Sequence, residues 1–482
     1  MHQTAEIVKP LGNFVDGRWI SDGEPFDVIA PYGRGVVGKT FRATAAHAQT
    51  AIAAAARAFQ ITRKLPACKR QQILRDVAQG IAARRQEFTR VLACEAGKPL
   101  NGARAEVERA IFTFTVAAEE STRICGEWLP LDWWPSTAGF RALVQRFPLG
   151  PIAAITPFNF PLNLVAHKWA PAIAAGCSIV HKPAPQTPLS ALLLAELVER
   201  TDWPAGALNV LSLSNEAAGS IISDDRLKLL TFTGSAATGW ELKKKAGKKR
   251  VALELGGNAG VIVHADADVE HAAERCVAGG FYYAGQDCTS IQRIRVERSV
   301  YDKFLAALVP RVEKLKLGDP LNESTDVGPM INEDAAQRAA ETVEASVRGG
   351  ARVLCGGKRD GNMFAPTVLT ATRPEMRVNC DEVFAPLVTV EPYDDFAAAL
   401  AEINHSDFGM QAGVFTRDLL RIFRAYEDLD VGGLIVGDAP TFRIDHMPYG
   451  GVKDSGIGRE GLRYSIEEMT ERKLLVMNLS GC

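Results

Sequence analysis

The sequence predicts an α/β protein with two doubly wound domains. Three observations carry that expectation. From Pro151 onward, short apolar runs alternate with amphipathic helical stretches, the pattern of repeated βα units around a parallel sheet. The alternation restarts at Ala259-Gly-Val-Ile-Val-His264, just after the glycine pair Gly256-Gly257. A chain of 482 residues also exceeds what one hydrophobic core ordinarily serves.

The elements follow in order. Asn13-Phe-Val-Asp-Gly-Arg-Trp-Ile20 reads as a hairpin, because Asp16-Gly17 separates two β-prone runs. Residues 44–59 are alanine-rich and helical, with Thr44 as N-cap. Residues 69–95 place Ile73, Leu74, Val77 and Ile81 at helical spacing and are predicted as one continuous helix, stopped at Gly97. Residues 101–120 form another, in which Arg109 stands between Val107 and Ile111-Phe112. Residues 128–136 are a Pro- and Trp-rich break, and residues 141–147 alternate like a strand. The first βα series pairs strands at 152–155, 178–180, 208–211 and 227–232 with helices at 161–175, 188–199, 215–222 and 236–246, then ends on strand 251–255. The second runs through helix 268–279, the loop at Cys288, strand 292–296, helices 300–309 and 335–347, and strand 351–354. The tail Arg472-Lys-Leu-Leu-Val-Met-Asn478 is apolar and β-prone. Near a chain end that predicts an edge strand which pairs with another subunit.

Composition narrows the function. The chain is 47% hydrophobic and 23% charged, with a net charge of −2 and no basic stripe, which argues against nucleic acid as the main partner. The nine cysteines are scattered and contain no CxxC pair, which fits a reducing compartment and no zinc site. Residues 1–7 lack a charged-then-apolar leader, and no apolar run is long enough to span a bilayer, so the expected location is the cytoplasm, away from membranes.

Ligands of open α/β sheets bind beyond the carboxyl ends of the strands. Here those ends are polar. Strand 152–155 runs into Thr156-Pro-Phe-Asn-Phe-Pro161, strand 178–180 into His181-Lys182-Pro183, and strand 227–232 into Thr233-Gly234-Ser235. Strand 251–255 holds Glu254 and leads into Gly256-Gly257. A glycine and a hydroxyl at a helix start offer free N–H groups and the helix dipole to a phosphate. No GxGxxG joins a strand to a helix in this βα series, so the common dinucleotide fingerprint is absent there, and the reading rests on four polar strand ends together. In the second series, Phe281-Tyr-Tyr-Ala-Gly-Gln-Asp-Cys-Thr-Ser290 sets Cys288 behind a Gly-Gln turn. A lone cysteine in apolar surroundings is ordinarily inert core. Opposite a nucleotide site, however, Cys288 and Glu254 form a candidate nucleophile and base, since a thiol attacks as thiolate and a tuned carboxylate takes a proton from the thiol or from water.

These motifs resemble the aldehyde dehydrogenase superfamily over essentially the whole chain. The residues that carry the resemblance are Thr156-Pro-Phe-Asn-Phe-Pro161, His181-Lys-Pro183, Phe232-Thr-Gly-Ser235, Glu254-Leu-Gly-Gly-Asn258, Gly285-Gln-Asp-Cys288, Glu382-Val-Phe384 and Lys453-Asp-Ser-Gly-Ile-Gly458. The resemblance implies a Rossmann-like coenzyme domain (1–123 and 146–256), a catalytic domain (257–447) and a small β oligomerisation arm (124–145 and 466–482). It implies a homodimer or homotetramer, NAD or NADP as coenzyme, and no metal. The implied reaction oxidises a small polar aldehyde to the acid through a cysteine thiohemiacetal and thioester. Cys288 then resembles the nucleophile and Glu254 the general base, while Asn159 and the Cys288 backbone N–H resemble an oxyanion hole. Thr156, Pro157, Phe158, Lys182, Gly234, Ser235, Leu255, Gly256, Glu382 and Phe384 resemble the coenzyme contacts.

The chain departs from the family pattern in places. Pro185 stands where NAD-specific members often carry an acid that meets the adenosine ribose, so a 2′-phosphate is not repelled. Ala385 replaces a common glycine, a feature of the lactaldehyde- and phosphonoacetaldehyde-like branch. By alignment, Arg109 and His167 line the substrate tunnel, which favours an anionic aldehyde. Asp287 beside the nucleophile opposes an anion and favours a hydroxyaldehyde. In the plainer alternative, Arg109 pairs with Glu106 or Glu108 and never meets substrate. Two other functions are weighed. A CoA-acylating dehydrogenase is disfavoured by Glu254, and a non-catalytic binding protein of the same fold by Cys288, Glu254 and Asn159 together.

Overall fold

The computed structural model describes residues 8–479; the opening seven residues, Cys482 and the outermost ends of the expected coenzyme domain and arm lie outside it. Two large sheets dominate. The first holds eight strands in the order Arg18–Ile20, Asn13–Val15, Leu208–Val210, Ile179–Lys182, Ile152–Ile155, Leu229–Thr233, Arg250–Glu254 and Gly456–Ile457. Its five central strands are parallel. They are buried on both faces, except at the outer end of Arg250–Glu254, which is why they read as continuous apolar runs. The chain runs outward from Ile152–Ile155 first to one side and then to the other. The switch point therefore falls between Ile152–Ile155 and Leu229–Thr233, where a crevice opens beyond the strand ends.

The second sheet holds seven strands in the order Arg352–Cys355, Thr367–Thr370, Leu387–Tyr393, Ile291–Glu297, Ala259–Val263, Gln411–Phe415 and Gly433–Val436. All neighbours are parallel except the first pair. Gly257 links the two sheets at close quarters, for a Cβ there would lie 2.2 Å from the Cys288 carbonyl oxygen. A third, antiparallel sheet joins Thr470–Asn478 to Phe140–Pro148 and Glu127–Pro130. The tail strand thus pairs within its own chain on one side. Its outer edge carries exposed Leu474, Leu475 and Val476.

Local expectations hold where capping chemistry is explicit. Thr44 caps helix Ala45–Thr62 in a capping box with His47. Three others are corrected. The single helix expected over 69–95 is two, Ala67–Ala83 and Arg85–Glu95. Arg84, at φ −106° and ψ 22°, breaks it, and its guanidinium is held by Glu87 and Glu196. The bend turns Phe88, Val91 and Leu92 into the core, a tertiary demand with no glycine or proline to announce it. The helix expected over 215–222 shrinks to Gly219–Ser223. The break at 128–136 contains part of the Glu127–Pro130 strand, where Trp128 and Pro130 occupy an edge that tolerates a missing N–H.

Two buried carboxylates dock the helical layer onto the first sheet. Glu95 accepts from the N–H groups of Leu189 and Ser190 at the start of helix Leu189–Glu199. Glu106 does the same for Leu162 and Asn163 at the start of helix Asn163–Ala175. Each places negative charge where the helix dipole is positive. Lys98, as fully buried as Glu106, pairs with the second carboxylate.

Candidate active site

A cavity of about 300 Å³ lies between the two large sheets. Cys288, Glu254 and Asn159 all line it, as do Pro157, Phe158, Gly234, Ser235, Leu255, Gly256, Asp287, Glu382 and Phe384. Thr156 and Lys182 do not line it. They sit at neighbouring strand ends, where the Thr156 hydroxyl is paired with His181 Nε2 at 3.0 Å.

The loop before Cys288 is backbone-driven. Tyr283, Ala284 and Gly285 take left-handed φ values of 48°, 53° and 66° in succession. The two non-glycine residues hold this conformation at a cost of about 1–3 kcal/mol each. The surroundings over-determine it. Tyr283 donates to the Ala96 carbonyl at 2.7 Å, and the Gln286 side chain accepts from the Ile331 N–H at 2.8 Å. Gly285 cannot carry a side chain, since a Cβ there would lie 2.1 Å from the Ala385 oxygen.

At the loop tip the half-buried Cys288 sulfur lies 2.9 Å from the Tyr449 hydroxyl. Burial, with Asp287 adding to it, pushes the thiol well above its ordinary pKa, while Tyr449 and Arg443 pull it down. The Cys288 backbone N–H has no partner among the described residues. Asn159 Nδ2 donates to the Gln286 oxygen at 3.1 Å, and its Oδ1 is buried without a partner. Glu254 is 4% exposed, and its Oε2 also lacks a partner. Burial and then the negative Glu460 raise its pKa well above the carboxylate range.

The cavity's far wall was only partly legible. Arg109 lines it, but pairs with neither Glu106 nor Glu108. It grips Asp445 through Nη2 at 2.7 Å and Nε at 3.2 Å, because Glu106 is taken by Lys98 and Glu108 by Arg85. His167 is a correction. It is 1% exposed, does not line the cavity, and burial followed by Arg443 lowers its pKa; its Nε2 is paired with Asp445 at 2.8 Å. The second cation at the wall is instead Arg443, which sequence reasoning missed. It donates to Glu460 at 2.9 Å and stacks over the Tyr449 ring at 3.7 Å. Its only signal was a charged alternation, Phe442-Arg443-Ile444-Asp445, ahead of the glycine-rich stretch. Nη1 of Arg109 and Nη1 of Arg443 have no partner among the described residues. Asp287 turns Oδ1 to the Thr289 N–H and hydroxyl at 2.9 and 2.8 Å.

A nucleotide coenzyme fits the opposite wall. A Cβ at Gly256 would lie 2.3 Å from the Glu382 carboxylate and displace it, and one at Gly234 would lie 2.5 Å from the Phe232 ring. Ser235 caps helix Ala236–Lys245 and leaves its N-terminus facing the crevice. The buried Lys182 ammonium has no partner among the described residues. Phe384, at φ 52°, meets Phe158 edge to face at 6.1 Å. Among the described residues there is no helix long and apolar enough to cross a membrane, and no group of three or more His, Cys, Asp or Glu placed to hold a metal.

A thiol set opposite a nucleotide-binding switch point is the arrangement of oxidoreductases that oxidise carbonyl compounds through a covalent cysteine. The chain belongs to the aldehyde dehydrogenase family, whose family model matches residues 19–475. It is 43% identical to a 3-sulfolactaldehyde dehydrogenase of Priestia aryabhattai, over 98% of this chain and 99% of that protein. Aldehyde dehydrogenase 21 of Physcomitrella patens, solved with the reaction product succinate, superposes with a TM-score of 0.96 at 43% identity, covering 98% of this chain and 99% of that one. A glyceraldehyde-3-phosphate dehydrogenase of Methanocaldococcus jannaschii, solved with NADP, gives 0.91 at 38% identity over 95% and 100%.

Proposed function

We propose that the enzyme oxidises a small aldehyde bearing an anionic group, and a hydroxyl next to the carbonyl, to the carboxylic acid. The observation that carries this reading is that Arg109 and Arg443 line the same cavity as Cys288, each with an Nη1 that has no partner among the described residues. Both guanidiniums are already neutralised by Asp445 and Glu460, so they offer fixed donors in a forked geometry rather than loose charge. The sulfo group in the name of one relative and the succinate bound to another support an anion at that wall. Asp287, whose Oδ1 is taken by Thr289, would accept from a substrate hydroxyl through Oδ2.

Cys288 adds to the carbonyl carbon as thiolate, and the new oxyanion takes donors from the Cys288 N–H and Asn159 Nδ2. The coenzyme, when bound, supplies a hydride acceptor. Glu254 then takes a proton from a water that attacks the thioester, which releases the acid and restores the thiolate. That water-activating carboxyl in the cavity also favours hydrolysis over acyl transfer to CoA. Lys182, Ser235, Gly256, Glu382 and Phe384 would hold the coenzyme, with the sheet order 152–254 as its domain and the second sheet as the catalytic one. With no acid at Pro185, and an NADP-bound relative, either NAD or NADP is accepted. The exposed Leu474, Leu475 and Val476 edge packs against a second copy in a homodimer or homotetramer.

The test is coenzyme reduction over a panel that pairs anionic aldehydes with neutral ones of equal length. Arg443→Ala is expected to lower kcat/KM for anionic members about 10- to 100-fold more than for neutral ones, as for a charged group losing one partner, on top of a loss shared by the whole panel because Arg443 also favours the Cys288 thiolate. Arg109→Ala should behave similarly. Equal loss across the panel would make both arginines structural.

Coenzyme binding should depend on pH through Glu382. Burial raises its pKa to about 7, with the Gly257 N–H opposing. A carboxylate accepts hydroxyl hydrogen bonds more strongly than the protonated acid, so affinity is expected to rise as pH rises through that value. Between about pH 6 and pH 8 the dissociation constant is expected to tighten about tenfold, as the competent fraction grows. Fluorescence titration of coenzyme would show this in the wild type and lose it in Glu382→Gln. A flat wild-type profile would refute it.

A further inference from the structure

We propose that Tyr449 is a catalytic residue whose phenol O–H stabilises the Cys288 thiolate by donating to it, which eases ionisation before attack. Tyr449 is the one described residue whose side chain reaches the Cys288 sulfur, at 2.9 Å. The contact is built rather than incidental. The phenol is 4% exposed, and its backbone is tied on both sides to Glu460, N–H to oxygen at 3.0 Å and oxygen to N–H at 2.6 Å. The Arg443 guanidinium lies 3.7 Å from the ring centroid, where a cation draws electron density from the ring and makes the phenol a stronger donor.

The other groups around the sulfur leave this role vacant. Asn159 already donates to the Gln286 oxygen, and Glu254 makes no hydrogen bond to the thiol. Asp287 on the same loop and Glu382 from the facing loop both disfavour a thiolate, and only Arg443 from the wall favours it by charge. Glu254 and Glu460 line the same cavity and add no positive charge. On ionisation the thiol proton leaves to cavity water, the phenol keeps its own, and its O–H turns to the sulfur. Once the sulfur bonds to the carbonyl carbon it is a poor acceptor, so the stabilisation is withdrawn after attack.

This inference rests on reading Cys288 as the nucleophile, and the experiment separates the two. The full chain, free of coenzyme, is treated with iodoacetamide across a pH series, and alkylation of Cys288 is read by peptide mass spectrometry. Tyr449→Phe keeps the ring under Arg443 and is expected to move the midpoint up by about one to two pH units, with an unchanged plateau rate. A fluorinated tyrosine at 449, a stronger donor of nearly the same shape, is expected to move it down. That second variant decides the matter if Tyr449→Phe folds poorly. Midpoints that stay put, or that move in the same direction, overturn the inference. A Cys288→Ala enzyme that still oxidised aldehyde would overturn the nucleophile assignment and this inference with it.

Discussion

Cys288→Ala is expected to lower aldehyde-dependent coenzyme reduction at least 10³-fold in kcat/KM, with coenzyme affinity within about twofold of wild type. No other thiol of the described residues lines the cavity. Burial pushes Cys94 up to about 12 and Cys177 up to about 11, and Cys276 higher still, so none of these ionises near neutrality. Cys68, Cys125 and Cys380 are exposed but away from the cavity. Removing the sulfur removes the covalent intermediate itself, while the glycine-edged coenzyme wall is untouched. Steady-state absorbance of the reduced nicotinamide gives the first number and fluorescence titration the second. Residual turnover above a hundredth of wild type would place the nucleophile elsewhere.

The largest stability effect is expected from Lys98→Met. Lys98 and Glu106 are both fully buried and paired, and the ammonium also lies 3.7 Å from the Phe160 ring centroid and 4.4 Å from that of Tyr283. Removing it strands the Glu106 carboxylate in the core, which costs about 3–5 kcal/mol. The loss should appear as a lower urea midpoint. Glu106 holds the start of helix Asn163–Ala175, and Tyr283 opens the strained turn before Cys288. Activity at low urea should therefore fall alongside stability. Lys98→Met/Glu106→Gln, which removes the uncompensated charge but keeps an oxygen to accept from both N–H groups, should recover part of the midpoint. A single variant as stable as wild type would show that the carboxylate finds a proton or a water instead.

Much of the fold was legible because βα alternation is local. The central parallel strands of the first sheet are short, mostly apolar runs, and each leads into polar, glycine or proline residues that suit a loop or a helix start. The split at Arg84 was not legible, since nothing in Ala82-Ala-Arg-Arg85 breaks a helix by itself. The same contrast divides the site. Cys288, Glu254 and Asn159 announce themselves through their neighbours: a Gly-Gln turn, a glycine pair and a proline-framed strand end. His167 looked like a cation in the tunnel because its place on a helix is visible in sequence, whereas its burial against Asp445 is not.

The sequence by itself determined the class of fold, the family resemblance and the residues proposed to meet the carbonyl, because each is written in contiguous residues with a fixed local geometry. Tertiary structure alone decided what surrounds them. Arg109 finds Asp445 across 336 positions, and Cys288 finds Tyr449 across 161. No local periodicity encodes such meetings. They arise only when two sheets close on one cavity, and they set the charge and donors that a substrate encounters there.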